Sequence, residues 1–225
     1  MKLCFYNVDL SYIDYLKKYE TNQKGYTRVP NVQYRSGNNK FFYGAVLNIN
    51  GINYFVPISS KQHNKQDDLP IRTKDKFKRE ISTLRFAYML PIPQSCLTYL
   101  DISKESNKTR QESLRKELAF CRRNRDKISK QAEKTYYRII NRVSDKLVQN
   151  SCDFKLLEKA YNEYVALLPC YLKTSAEGVD LLKQNKIDFE ARPSTKNQGM
   201  FVVKLKTADE SQAQAILRSI KPLTK

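Results

Sequence analysis

A chain of 225 residues with 41 Lys and Arg against 23 Asp and Glu carries a formal net charge of +18, an excess suited to a polyanion, because each phosphate neutralised releases condensed counterions. No apolar run approaches the roughly 18 residues of a spanning helix, and "MKLCFYNVDLSYIDYL" lacks a signal-peptide pattern, so the sequence predicts a cytoplasmic protein without membrane contact. Five scattered cysteines without a CxxC pair, one histidine, and six glycines without a GxGxxG or P-loop pattern predict buried reduced thiols, no metal site and no cofactor.

Tyr12, Ile13, Leu16 and Tyr19 fall at helical spacing and place a short helix after Asp9 or Ser11. The polar stretch "TNQKGYTRVPNVQYRSGNN" reads as an ordered loop. Two apolar runs, "KFFYGAVLNI" and "NYFVPI", flank an Asn50-Gly51 turn signal and form the clearest hairpin of the chain. "HNKQDDLP" reads as a polar loop, and "ISTLRFAYMLPIP" and "CLTYLDI" as two further strands separated by prolines. From Glu112 to about Leu147 the apolar residues recur at three- and four-residue steps, with a slip near Asn124 that marks a bend or break. The opposite faces carry Arg115, Arg122, Arg123, Arg125, Lys130 and Arg138 among nine cations. A charge run is by default a solvated face, but so many cations with few acids between them favour a polyanion contact for the group.

"SCDFKLLEKAYNEYVALL" reads as a helix with Ser151 as N-cap, ended by Pro169. The remainder reads as strand or loop, helix, strand, turn, strand and helix, in outline a small αββα-like extension. It holds ten basic and six acidic residues, so residues 1–168 own most of the excess charge. The expected organisation is a main domain at 1–168 and a C-terminal extension at 169–225.

The chemistry concentrates where the second hairpin strand ends, in "ISSKQHNK". RNA supplies its own nucleophile, so a nuclease need only help the 2′-OH attack the adjacent phosphate, stabilise the phosphorane and protonate the 5′-oxygen. Ser59 and Ser60 can hydrogen-bond the non-bridging oxygens, Lys61 can set a full positive charge beside them, and His63 can act as general acid or base near neutral pH. The bland reading is that two serines simply end a strand, Lys61 is solvated and a lone histidine is structural. Most of the 15 tyrosines belong to packing, with Tyr34 and Tyr43 as candidates for stacking on a base.

The hairpin ending in Ser-Ser, the following "MLPIP" and "YLDI", the "LRKELAFCRRNRDKI" helix and the "CDFKLLEKAY" helix resemble, in that order over residues 1 to about 168, the ToxN/AbiQ family of type III toxin-antitoxin toxins. The resemblance implies an α+β fold, a compact antiparallel β core with a barrel-like sheet and surrounding helices. It implies a metal-independent, sequence-preferring endoribonuclease that leaves a 2′,3′-cyclic phosphate. It further implies inhibition by, and processing of, a repeated pseudoknot antitoxin RNA in a ring-shaped protein-RNA assembly, with cellular or phage RNA as substrate and a role in plasmid maintenance or phage defence. The family's hydroxyl pair falls on Ser59 and Ser60. Its lysine falls on Lys61 with Lys65 as the alternative, since here no residue separates the lysine from the serines. Lys40 and Tyr34 match its lysine before the first hairpin strand and its upstream tyrosine. With Arg115, Arg122, Arg123, Arg125 and Lys130 they make up the expected RNA-binding set. The competing reading is a non-catalytic RNA- or DNA-binding module, which would shift RNA in a gel in EDTA but not cut it.

Overall fold

The computed structural model describes residues 3–33, 40–60, 67–72 and 80–218. The chain divides into two compact units, Met1–Tyr161 and Asn162–Lys225. The division runs inside a helix, whereas Pro169 had suggested a boundary at its end.

The first unit is built on a seven-stranded antiparallel sheet. Its strands are β1 (Cys4–Val8), β2 (Phe42–Ile49), β3 (Ile52–Ser59), β4 (Asp68–Arg72), β5 (Glu80–Arg85), β6 (Leu90–Pro91) and β7 (Leu97–Tyr99). They lie in the order β4-β5-β3-β2-β1-β7, with β6 also paired to β3. The outer strands β4 and β7 do not meet, so the sheet is open rather than the expected barrel. The β2–β3 hairpin forms as its Asn-Gly signal requires: Asn50 and Gly51 both take positive φ (49° and 85°), the backbone of a type I′ turn whose twist matches that of the strands. Strand β4, Asp-Leu-Pro-Ile-Arg, lies in what read as a loop. Its proline is tolerated because β4 is an edge strand paired only with β5.

Helix α1 (Leu10–Lys24) is capped by Asp9, whose carboxylate accepts from Ser11 N–H, and buries Tyr12, Ile13 and Leu16. The long basic segment is two helices, α2 (Lys108–Arg123) and α3 (Arg125–Ile140), which share Asn124 as the residue between them, at the expected break. Leu114, Leu118 and Cys121 of α2 and Ile128, Ala132, Tyr136 and Ile139 of α3 face the core. A short helix, α4 (Asp145–Gln149), leads to α5 (Phe154–Leu167). The residue that caps α5 is Asp153, which accepts from Leu156 N–H at 3.2 Å. Ser151, read as the cap, instead donates its hydroxyl to the Leu147 carbonyl of the preceding turn.

Two carboxylates tie these elements together. Glu20 of α1 is fully buried and accepts from Thr27 Oγ1 (2.7 Å), Arg28 N–H (2.6 Å), Val29 N–H (3.3 Å) and Asp153 N–H (3.3 Å), so the turn after α1 and the start of α5 hang on one side chain. Glu158 of α5 accepts the hydroxyls of Tyr54 (2.9 Å) and Tyr136 and pairs with Lys155. The four cysteines of this unit are free and buried.

The second unit has its own core. Strand β8 (Pro169–Ser175), helix α6 (Ala176–Gln184), strands β9 (Phe189–Pro193) and β10 (Met200–Lys206), and helix α7 (Glu210–Leu217) form a three-stranded antiparallel sheet in the order β8-β10-β9 with two helices. The αββα outline had left β8 undecided; it is a full strand paired along β10. Val179, Leu182, Val203, Leu205 and Ala213 close the core between helices and sheet. At Gly178 the approach of α6 to β8 is so close that a Cβ would overlap the Thr174 hydroxyl. Among the described residues no helix is long and apolar enough to cross a membrane.

Candidate active site

Strand β3 carries Ser59 to its place. Residues Tyr54 through Ile58 are all buried, so the strand is rigid up to its last turn outward, where Ser59 is half-buried and Ser60 exposed. Pairing fixes what stands beside them. On one side Ser59 lies opposite Thr83 of β5, a fully buried hydroxyl residue. On the other side the Ile58 N–H donates to the Phe41 carbonyl at 3.1 Å, continuing the register in which Phe42 faces Pro57. One residue further, that register sets Lys40 across from Ser59. Three chain segments distant in sequence thus converge at the end of β3 with a lysine and three hydroxyls.

Lys40 is more constrained than a solvated lysine. Its N–H donates to the Val32 carbonyl (2.6 Å) and its Nζ to the Asn31 carbonyl (2.7 Å), which ties it to the chain at 31–32. Tyr34, Lys61, His63 and Lys65 lie outside the described residues.

Helix α2 packs on β4 and β5, the second of which pairs with β3 at Ser59. Its buried face includes Glu117, which sequence reasoning passed over as one of many helix charges. Burial pushes the Glu117 carboxyl up to about 7, against the opposing pull of the Ser82 hydroxyl and the Arg110 guanidinium. Arg115, Arg122, Arg123, Arg125 and Lys130 are all exposed, and none pairs with a carboxylate among the described residues. Arg122 and Arg123 sit in the last turn of α2, where cations suit the helix dipole, but Arg125 opens α3, where a cation is disfavoured. The helix gains nothing from Arg125. Arg138, grouped with these cations by sequence, is a structural residue: it pairs with buried Asp67 at the start of β4.

Tyr43 cannot stack on a base, because it is 1% exposed, and burial holds its phenol well above the ordinary value. An aromatic that does stand open among cations in this unit is Tyr26, 47% exposed, with Lys24 Nζ 5.2 Å and the Arg28 guanidinium 5.4 Å from its ring centroid. Its sequence signal was the Lys-Gly-Tyr-Thr-Arg run, in which Gly25 ends α1 and leaves the tyrosine outside the helix, between two cations. Among the described residues no group of three or more His, Cys, Asp or Glu is arranged to hold a metal ion.

The family described as "Toxin ToxN, type III toxin-antitoxin system" matches residues 4–162. The endoribonuclease ToxN of Pectobacterium atrosepticum is 30% identical over 168 residues, covering 71% of this chain and 92% of that one. Among solved structures, AbiQ, a lactococcal anti-phage endoribonuclease of a type III toxin-antitoxin system, superposes with a TM-score of 0.62 at 25% identity over 73% of this chain and 98% of that one. A bacterial type III toxin described as selectively inhibited by a non-coding RNA pseudoknot gives a TM-score of 0.60 at 26% identity, over 71% of this chain and 96% of that one. With open sheet, Ser-Ser strand end and basic helices all inside the matched span, the chain belongs to the ToxN family of type III toxin-antitoxin toxins.

Proposed function

We propose that this chain is the toxin of a type III pair, an endoribonuclease of the cytoplasm that cuts cellular or phage RNA and is held inactive by a repeated pseudoknot antitoxin RNA, which it also processes into a ring-shaped complex. The observation that carries the reading is the convergence of Lys40, Ser59, Ser60 and Thr83 at the end of β3, beside a helix pair whose exposed cations Arg115, Arg122, Arg123, Arg125 and Lys130 have no carboxylate partner among the described residues. The relatives' names as endoribonucleases and the pseudoknot inhibition of one structural neighbour support it.

The reaction is a transesterification. The 2′-oxygen forms a bond to phosphorus as the bond to the 5′-oxygen breaks. One proton leaves the 2′-OH and another is delivered to the 5′-oxygen. The products are a 2′,3′-cyclic phosphate and a 5′-hydroxyl. Hydroxyls of Ser59 and Ser60 donate to the non-bridging oxygens, and Lys61 supplies charge to the phosphorane and a proton to the leaving oxygen, with Lys65 as the alternative cation and His63 as the competing acid-base group. No metal is required in this reading, because the RNA brings its own attacking hydroxyl and a lysine supplies the positive charge. Arg115, Arg122, Arg123, Arg125 and Lys130 bind the backbone of substrate or antitoxin RNA, with Tyr34 and Lys40 positioning it. Replacing Ser60 by Ala tests the assignment. Removing an exposed hydroxyl costs under about 1 kcal/mol of stability, so the protein folds, and both growth inhibition and RNA cleavage disappear. A folded Ser60→Ala protein that still cuts at the parental rate excludes the site.

A further inference from the structure

The family match stops at residue 162, where the second compact unit begins. Its sheet has one face against α6 and α7 and one face without a covering element inside the unit. Strand pairing assigns the residues of each. Cys170, Leu172, Val203, Leu205 and Phe189 turn toward the helices. On the opposite face Lys173, Val202 and Arg192 form one row across the three strands, and Tyr171, Lys204 and Glu190 form the next. Tyr171 is 59% exposed, one of six large hydrophobic side chains that stand open among the described residues.

A face meant only to be wetted has no use for a bare aromatic ring, here on the edge strand β8. The face carries Lys173, Arg192, Lys204 and Lys206, with Glu190 beside Lys204 and Asp188 3.9 Å from Lys206. Lys204 is partly neutralised by Glu190 at 3.1 Å, and Lys173 reaches the Asn197 side chain at 3.4 Å, but Arg192 has no carboxylate partner among the described residues. Four acids of the unit stand on its helical side instead, Glu177 and Asp180 on α6 and Asp209 and Glu210 at the start of α7. Tyr171, Glu190, Ala191, Arg192, Val202 and Lys204 line a shallow depression of about 290 Å³. Neighbouring strands lie about 4.8 Å apart and alternate residues about 7 Å along a strand, so ring and cations fall within reach of one short stretch of polynucleotide.

We propose that this open face binds single-stranded RNA, with a base stacked on Tyr171 and the flanking phosphates held by Arg192, Lys173 and Lys204. An aromatic on an open antiparallel sheet is sequence-tolerant, since every base offers a π-face, and the cations track the backbone. The unit then adds a second grip on RNA outside the cleavage site. The choice of RNA rests on the reading of the chain as an RNA-cutting toxin, but the binding is measured without cleavage.

The test uses the full chain and a fluorescent ten-nucleotide 2′-O-methyl RNA, which has no free 2′-OH to attack. Binding is read by anisotropy and contacts by photo-cross-linking with peptide mapping. Tyr171→Ala is expected to weaken binding by about tenfold or more, and Tyr171→Phe, which keeps the ring, to restore it. Arg192→Ala is expected to reduce the log-log salt slope by about one, and cross-links to fall on β8 and β9. Parental binding by both Tyr171→Ala and Arg192→Ala, with cross-links confined to residues 1–161, overturns the proposal whether or not the protein cuts natural RNA. So does unchanged RNA binding accompanied by loss of self-association in the Tyr171→Ala protein, which would make the face an interface between copies.

Discussion

Replacing Glu20 by Ala removes the acceptor of three backbone N–H groups, those of Arg28, Val29 and Asp153, and of the Thr27 hydroxyl. The site is fully buried, so water does not take over. Val29 N–H keeps the Thr27 hydroxyl oxygen as acceptor at 3.0 Å, but the Arg28 and Asp153 amides cannot move without moving the chain. At the lower end of about 1 kcal/mol for each of the two stranded amides, the change costs about 2 kcal/mol, and at about 2–4 °C per kcal/mol the melting temperature of the 1–161 unit falls by about 4–8 °C. Glu20→Gln separates hydrogen bonding from mere bulk. Its one carbonyl oxygen can keep Arg28 and Val29, which share Oε2, and loses Asp153, so its cost is about 1 kcal/mol. Thermal and urea unfolding of the three proteins measure the series. Hydrogen exchange adds a local readout, since the Arg28 and Asp153 amides lose protection in Glu20→Ala. A Glu20→Ala protein melting within about 2 °C of its parent, the shift of less than a single hydrogen bond, would refute this account of the 25–33 segment.

Glu117 offers a pH test. Its carboxyl rises from 4.5 to about 7 on folding, so the native state holds a proton that the unfolded chain has already released. Stability therefore falls as pH rises from 4.5 to 7 and levels off above, a loss of up to about 3 kcal/mol. Glu117→Gln, uncharged and of the same shape, should match its parent at pH 4.5 and exceed it at pH 8; an unchanged pH profile by urea unfolding would contradict the assignment. Neutralising Arg122, Arg123 and Arg125 together is expected to weaken RNA binding and to flatten its salt dependence by up to about three units of slope, with much less effect on the rate at saturating substrate; unaltered binding and slope would leave the cluster a solvated face. Lys61→Ala, or failing that Lys65→Ala, is expected to slow single-turnover cleavage more than His63→Ala while both proteins still bind antitoxin RNA. A dead His63→Ala protein beside active lysine variants would transfer the acid role to the histidine.

What the sequence made legible was local. The Asn50-Gly51 hairpin, the helix after Asp9 and the break at Asn124 each announce themselves within a few residues, and each is present. Strand β1 was missed because it lies between two other strands with most of its side chains buried, and so shows no alternation. Strand β4 was missed because it opens with a buried acid and contains a proline, both loop signals. Whether the sheet closes depends on how its outer strands pair, which no short window records. The same holds at the site. Ser59 and Ser60 were visible as the end of an apolar run, but their neighbours Lys40 and Thr83 arrive through strand register across 19 and 24 residues of chain. Glu20, Glu117 and Arg138 read as ordinary helix charges, and only packing distinguishes them from solvated ones.

The claim at the centre of this account is that the RNA's own 2′-OH performs the attack. An oligoribonucleotide carrying the cleavage sequence of the antitoxin repeat, and a copy with one 2′-deoxy sugar on the 5′ side of the scissile phosphate, are incubated with purified protein in excess EDTA and the products weighed by mass spectrometry. The account predicts that the all-ribose RNA is cut to a 2′,3′-cyclic phosphate and a 5′-hydroxyl while the single deoxy substitution leaves its copy intact. Cleavage of the deoxy copy, a 5′-phosphate product, or loss of all cutting in EDTA that returns with a divalent cation would contradict it.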